Sequence, residues 1–205
     1  MKKLNQSKEK SFLNSLLFLL LLLLTIPPIG VAGDEAYSKF PMPSKFVPAI
    51  QENGSPRYIT AEQIEIELRK HSKEFKQLYW NKKIKQYIIP HHDWLVDLLD
   101  SYGALLKRTK VKAKADTWDC ENYSALLNAL TTVSIWKAGY YETRAAFGWM
   151  RVDAKNEWAG LPGVMHALMF GVTDKGLFVI EPQNGHRIKL EDYPNRQFIQ
   201  EVFLF

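Results

Sequence analysis

The chain has 205 residues, 46% of them hydrophobic, with 27 Lys and Arg against 22 Asp and Glu and a single cysteine. That length suits one domain with a real core, and the formal charge of +5 overstates its basicity. Four Lys and one Glu fall in the first 33 residues, so the remainder carries 23 basic and 21 acidic residues and has no strong electrostatic claim on nucleic acid.

Residues 1–33 read as a signal peptide. Lys2, Lys3, Lys8 and Lys10 precede an apolar run from Phe12 to Ile26, and small residues at Gly30–Gly33 offer cleavage before Asp34. The run is shorter than the ~20 apolar residues of a membrane span, so contact with a membrane is expected only through this segment if it stays uncleaved. The mature protein is expected to be secreted, or held in the periplasm or cell envelope. Residues 34–58 hold Pro41, Pro43, Pro48 and Pro56 with Asn53-Gly54-Ser55, an irregular arm. Residues 59–205 are expected to form a single domain.

Thr60 with Gln63 is a capping box opening a helix over about 61–79. A short strand follows over 85–90. Asp93 then caps a helix in which Trp94, Leu95, Leu98, Leu99, Tyr102, Leu105 and Leu106 recur at intervals of three and four. The basic run over 107–114 reads as a solvated connector to the helix that carries Cys120, with Tyr123, Leu126, Leu127 and Leu130 as its stripe. Strands are expected over 143–152, 164–172, 177–182, 186–190 and 198–205, with a turn at Asp174-Lys175-Gly176 and a hairpin at Asn184-Gly185. Helices first and an antiparallel meander afterwards give an α+β fold class.

Cys120 stands in Thr117-Trp-Asp-Cys-Glu-Asn-Tyr123, at a helix start. A lone thiol in an exported chain is either buried and inert or reactive. Unpaired amides at a helix start favour a thiolate, and a neighbouring imidazolium favours it further. Asp119 and Glu121 oppose it unless they bind a cation or point away. His166 lies in an otherwise apolar strand and needs a partner for its ring nitrogens. Glu181 closes another apolar strand. If the intervening turn spans Thr173–Gly176, His166 and Glu181 fall on one face as diagonal neighbours, about 7–8 Å between Cβ atoms. Glu181 then orients and charges the imidazole, as the third member of a triad does. A three-residue turn would put them on opposite faces. Among the other histidines, His186 is second choice as base, His91 and His92 read as loop and cap residues, and His71 as solvated. The chain has no phosphate loop, CxxC pair or HExxH.

With Asp119-Cys120-Glu-Asn-Tyr-Ser-Ala125, Met165-His166-Ala167 and Val179-Ile-Glu-Pro-Gln183 in this order, the chain resembles papain-like and transglutaminase-like thiol enzymes. Among them it is similar to the C-terminal protease domain of the Marasmius-type mushroom agglutinin and its bacterial relatives, over about residues 85–190. The resemblance implies a papain-like domain with N-terminal helices packed on a C-terminal antiparallel sheet. It implies Cys120 as nucleophile, His166 as base and acid, and Glu181 as the orienting residue. Trp118 and Gln183 would line the site and the oxyanion. No cofactor is required, though the family's calcium activation makes Asp119 and Glu121 candidate calcium ligands, with Asn122 at the second acidic position. The expected function is an exported cysteine peptidase or amide hydrolase acting on a protein or peptide substrate. The alternatives are a non-catalytic binding module on the same fold, or an acyl transferase or peptidoglycan-peptide hydrolase.

Overall fold

Residues 45–109 and 120–204 are described by the structure, a computed structural model. The chain divides into two units, Met1–Pro41 and Met42–Phe205, and every described residue belongs to the second. The expected targeting segment over 1–33 lies outside the described residues, as do Trp118 and Asp119. Among the described residues, no helix is long and apolar enough to cross a membrane.

Helix α1 (Ala61–His71) starts where the capping box predicts. Gln63 N–H donates to Thr60 Oγ1 and Thr60 N–H to Gln63 Oε1, so two otherwise orphaned amides are satisfied. Such a cap is worth about 1 kcal/mol. The helix stops well short of residue 79. Ser72 Oγ donates to the carbonyls of Gln197 and Ile199 and draws the chain into strand β2 (Gln77–Tyr79), where Leu78 is buried. Leu78, inside the bounds expected for the helix, is therefore packed in a sheet.

Helix α2 (His92–Thr109) buries the whole predicted stripe from Trp94 to Leu106. Its first amide is capped from a distance: Asp174 Oδ1 accepts from His92 N–H at 2.6 Å. Asp93, the expected cap, lies instead within the first turn. Helix α3 (Cys120–Lys137) buries Tyr123, Leu127, Leu130 and Ile135 together with Ser124, Thr131 and Ser134. Ser124 and Thr131 satisfy their hydroxyls on carbonyls one turn back, Cys120 and Leu127.

The remaining strands are β1 (Tyr58–Ile59), β3 (Tyr87–Ile88), β4 (Phe147–Asp153), β5 (Met165–Thr173), β6 (Gly176–Ile180), β7 (Arg187–Lys189) and β8 (Ile199–Leu204). β1 and β3 pair with each other, with Ile88 of β3 also bridging Ala145, and the other six form one sheet in the order β2-β8-β4-β5-β6-β7. All its pairings are antiparallel except β2 with β8. The fold is α+β with three described helices and a mostly antiparallel sheet. Met150, Val152, Leu168, Phe170, Val179 and Val202 form one face and pack with Ile64 and Leu68 of α1. The alternate residues form the other face, where Leu95 of α2 lies close over Gly171. On that face Trp149, Phe203 and Tyr79 stack across three strands, with centroids 4.1 and 4.5 Å apart. On the opposite face, that of Phe170, Gly148 has no room for a side chain, since a Cβ there would overlap the Phe203 carbonyl and the Phe170 ring.

Candidate functional site

The β5–β6 hairpin sets the first part of the site. Thr173 pairs with Gly176, whose φ of +110° suits the tight turn at Asp174-Lys175. Extending the Met169–Ile180 register by one step sets Glu181 opposite Leu168, a diagonal neighbour of His166 on the same face. His166 Nε2 and Glu181 Oε2 are 2.7 Å apart. The Glu181 side chain is fully shielded and that of His166 is 13% exposed. The other carboxylate oxygen, Oε1, accepts from Gln183 N–H at 2.9 Å. Gly185, at φ +75°, closes the following turn by donating to the Glu181 carbonyl. Tyr102 and Tyr193 are both pushed up, first by burial and also by the Glu181 charge.

Cys120 is the first residue of α3 and is partly buried. Its sulfur accepts a hydrogen bond from Ala167 N–H at 3.4 Å. Ala167 follows His166, and α3 is anchored at this end by Tyr102 Oη donating to the Tyr123 carbonyl. Burial opposes charge on His166, but its hydrogen bonds to Cys120 and Glu181, with the charge of each, outweigh that and push it up to about 9. A thiol beside an imidazolium is a nucleophile and hydrogen-bond acceptor, and the cation beside it attracts anions.

Not every other expected residue joins this cluster. Gln183 engages Glu181 through its backbone. Glu121 is exposed, and among the described residues no group of three His, Cys, Asp or Glu could hold a metal ion. Asp119, the other calcium candidate, and Trp118 lie outside the described residues. His186 packs its ring on Trp158, 5.4 Å away, and Trp158 also meets Tyr193. A shallow cleft lined by Asn128, Thr131, Arg144 and Phe147 lies more than two turns down α3 from Cys120. Sequence reasoning missed the Ala167 amide, because a backbone donor has no letter of its own. It also missed Asn195, which is buried and fastens the 154–164 loop. Asn195 Oδ1 accepts from Lys155 and Asn156 N–H, and its Nδ2 donates to the Asn156 carbonyl.

No protein-family model and no curated protein matches the chain. Two solved structures are similar in fold. One, described as a PSL1a–E64 complex, is 14% identical with a TM-score of 0.51, over 72% of this chain and 50% of that one. The other, the Polyporus squamosus lectin bound to the human-type influenza-binding epitope Neu5Acα2-6Galβ1-4GlcNAc, is 13% identical with a TM-score of 0.52, over 72% and 49%. The chain spans about half the length of these proteins, and at such identity the likeness is one of fold.

These neighbours correct the protease reading. The structures this chain is similar to are lectin structures rather than a protease domain, so the cysteine-peptidase, hydrolase and thiol-protease assignments are withdrawn. The peptide substrate is withdrawn with them, and the signal-peptide and secretion assignments draw no support from these neighbours. The physical reason lies in what the three short motifs specify. They fix a helix start, a strand histidine and a strand carboxylate, the points where the fold brings side chains together. Amide cleavage also needs oxyanion donors and a substrate groove, and Gln183, the oxyanion candidate among the described residues, engages Glu181 through its backbone N–H. What the comparisons leave is a likeness of fold.

Proposed function

We propose that the chain is an exported binding module with its ligand seat at Cys120, His166 and Glu181. The observation that carries this reading is the cluster at the start of α3, where the Cys120 sulfur takes the amide of Ala167, next to His166, and the His166 ring meets the shielded Glu181 carboxylate at 2.7 Å. The lectin neighbours support a binding role, and the basic and apolar pattern over residues 1–33 supports export. A sulfur beside an imidazolium suits a ligand that carries a carboxylate or an electrophilic carbon. E64, the compound named with PSL1a, has both, a carboxylate and an epoxide.

Incubation of the mature chain with E64, read by intact mass, tests the seat. The thiolate opens the epoxide: a C–S bond forms, a C–O bond breaks, and the alkoxide takes the imidazolium proton. One adduct is expected, absent in Cys120→Ser and formed at least tenfold more slowly in His166→Ala. Labelling that is indifferent to His166→Ala sinks the proposal. The neighbour named with a sialylated trisaccharide favours a second reading, in which the ligand's carboxylate belongs to a glycan. Titration of Neu5Acα2-6Galβ1-4GlcNAc against the wild-type chain and His166→Ala decides it, with heat from the wild type alone expected.

A further inference from the structure

Strand β2 (Gln77–Tyr79) ends the six-stranded sheet, with β8 on one side and no described strand on the other. Lys76 N–H donates to the Gln200 carbonyl of β8. Alternate residues turn their backbone groups to the same side of a strand, so Leu78 also faces β8, while Gln77 and Tyr79 hold their N–H and C=O outward. Among the described residues nothing pairs with those groups. Both residues are exposed, Tyr79 at 37%. An edge of this kind is a template for one more strand.

Two features define what that strand would carry. The first is the ring stack. Trp149 on β4, Phe203 on β8 and Tyr79 on β2 step outward across the sheet, with centroids 4.1 and 4.5 Å apart. The far face of Tyr79 looks past the edge, and a strand added there would lie about 4.8 Å beyond β2, the same step again. An aromatic side chain on it would continue the stack. The second feature is charge. Lys73, Lys76, Lys82, Lys83 and Lys85 border β2 and are all exposed, against Glu74 alone over this stretch of sequence. Among the described residues none of the five is in a salt bridge. Glu201, on the neighbouring strand, is taken by Arg151 at 3.0 Å. Lysines at an edge repel a second copy of the same edge, where lysine would meet lysine. They attract a chain that carries carboxylates.

We propose that the outer edge of β2 binds an extended acidic peptide as an added strand, with an aromatic side chain of the peptide laid on the Tyr79 ring. This surface is three strands from β5 and its histidine, so it stands apart from the ligand seat at Cys120. The test is a fluorescence-anisotropy titration of the full chain with a labelled acidic peptide that holds one central tyrosine among glutamates. The wild type binds it, and does not bind the same peptide with its glutamates changed to lysine. Gln77→Pro removes an N–H that bonds to nothing within the fold and weakens binding about tenfold, while thermal unfolding stays where it is. Lys82→Glu with Lys83→Glu, in the exposed turn after β2, weakens it by about the same factor and decides the matter if the proline disturbs the fold. No binding, equal binding of the two peptides, or an affinity that neither variant changes overturns the proposal. So does a concentration-dependent dimer in sedimentation that Gln77→Pro dissolves, which would give the edge to a second copy.

Discussion

Two histidine–carboxylate groups lie at opposite ends of the β5–β6 hairpin. At the open end His166 meets Glu181 at 2.7 Å, with the carboxylate wholly shielded. At the turn, His91 lies 3.7 Å from both Asp93 and Asp174, and the Asp93 side chain is 73% exposed. The neighbouring His92 stacks on Phe178 and is pushed the other way from His166. Burial lowers it first, Lys175 adds to that, and Asp174 and Asp93 only partly offset it. The residue types are the same at both ends. A short contact to a shielded carboxylate turns burial's penalty on an imidazolium into net stabilisation, and a looser, wetter arrangement does not.

The largest expected break in this contrast is Glu181→Ala. Removing one partner of a shielded pair leaves His166 uncompensated and should cost about 3–5 kcal/mol in urea denaturation. A loss below about 1 kcal/mol would show that the pair carries little of the fold's stability.

A pH series is the next test. The folded state binds the His166 proton more tightly than the unfolded chain does, with a value near 9 against 6.5. Its stabilisation is therefore full below about 6.5 and is lost as pH rises through about 9, on the order of 3 kcal/mol. His92 has the opposite sign, its neutral form being favoured, so its contribution is complete above 6.5 and is lost as pH falls below that. Proton NMR should follow two histidines moving apart, and Glu181→Gln should bring His166 back towards 6.5. A His166 that titrates near 6.5 in the wild type contradicts the pairing.

The smallest expected effect is at the turn. Asp174→Ala removes the cap on His92 N–H and should cost about 1 kcal/mol. A loss as large as that of Glu181→Ala would erase the distinction between the two ends.

The parts of this molecule that sequence makes legible are those governed by short-range periodicity. Thr60 and Gln63 announce α1, the leucines from Leu95 to Leu106 announce α2, and the turn at Asp174-Lys175 fixes the register that joins His166 to Glu181. What depends on distant chain is hidden. The end of α1 is decided by carbonyls of Gln197 and Ile199, more than 120 positions away, and the cap of α2 comes from Asp174, 82 positions on. The contact of Cys120 with the Ala167 amide crosses from helix to sheet and has no spacing to betray it. The peptidase expectation failed on a related ground. Three motifs mark where side chains gather, and the same gathering serves a module that holds a ligand as well as one that cuts it.

Strand β8 follows every other described element in the chain, yet it lies inside the sheet, between β2 and β4. Its partner Gln77–Tyr79 must wait for some 120 residues of synthesis before it can pair. Until then β2 and β4 present bare edges, and closing so long a loop is slow. Vectorial synthesis thus leaves β2 without its sheet partner until β8 leaves the ribosome. A nascent chain stalled before Ile199 should be a client for chaperones rather than a partly folded domain.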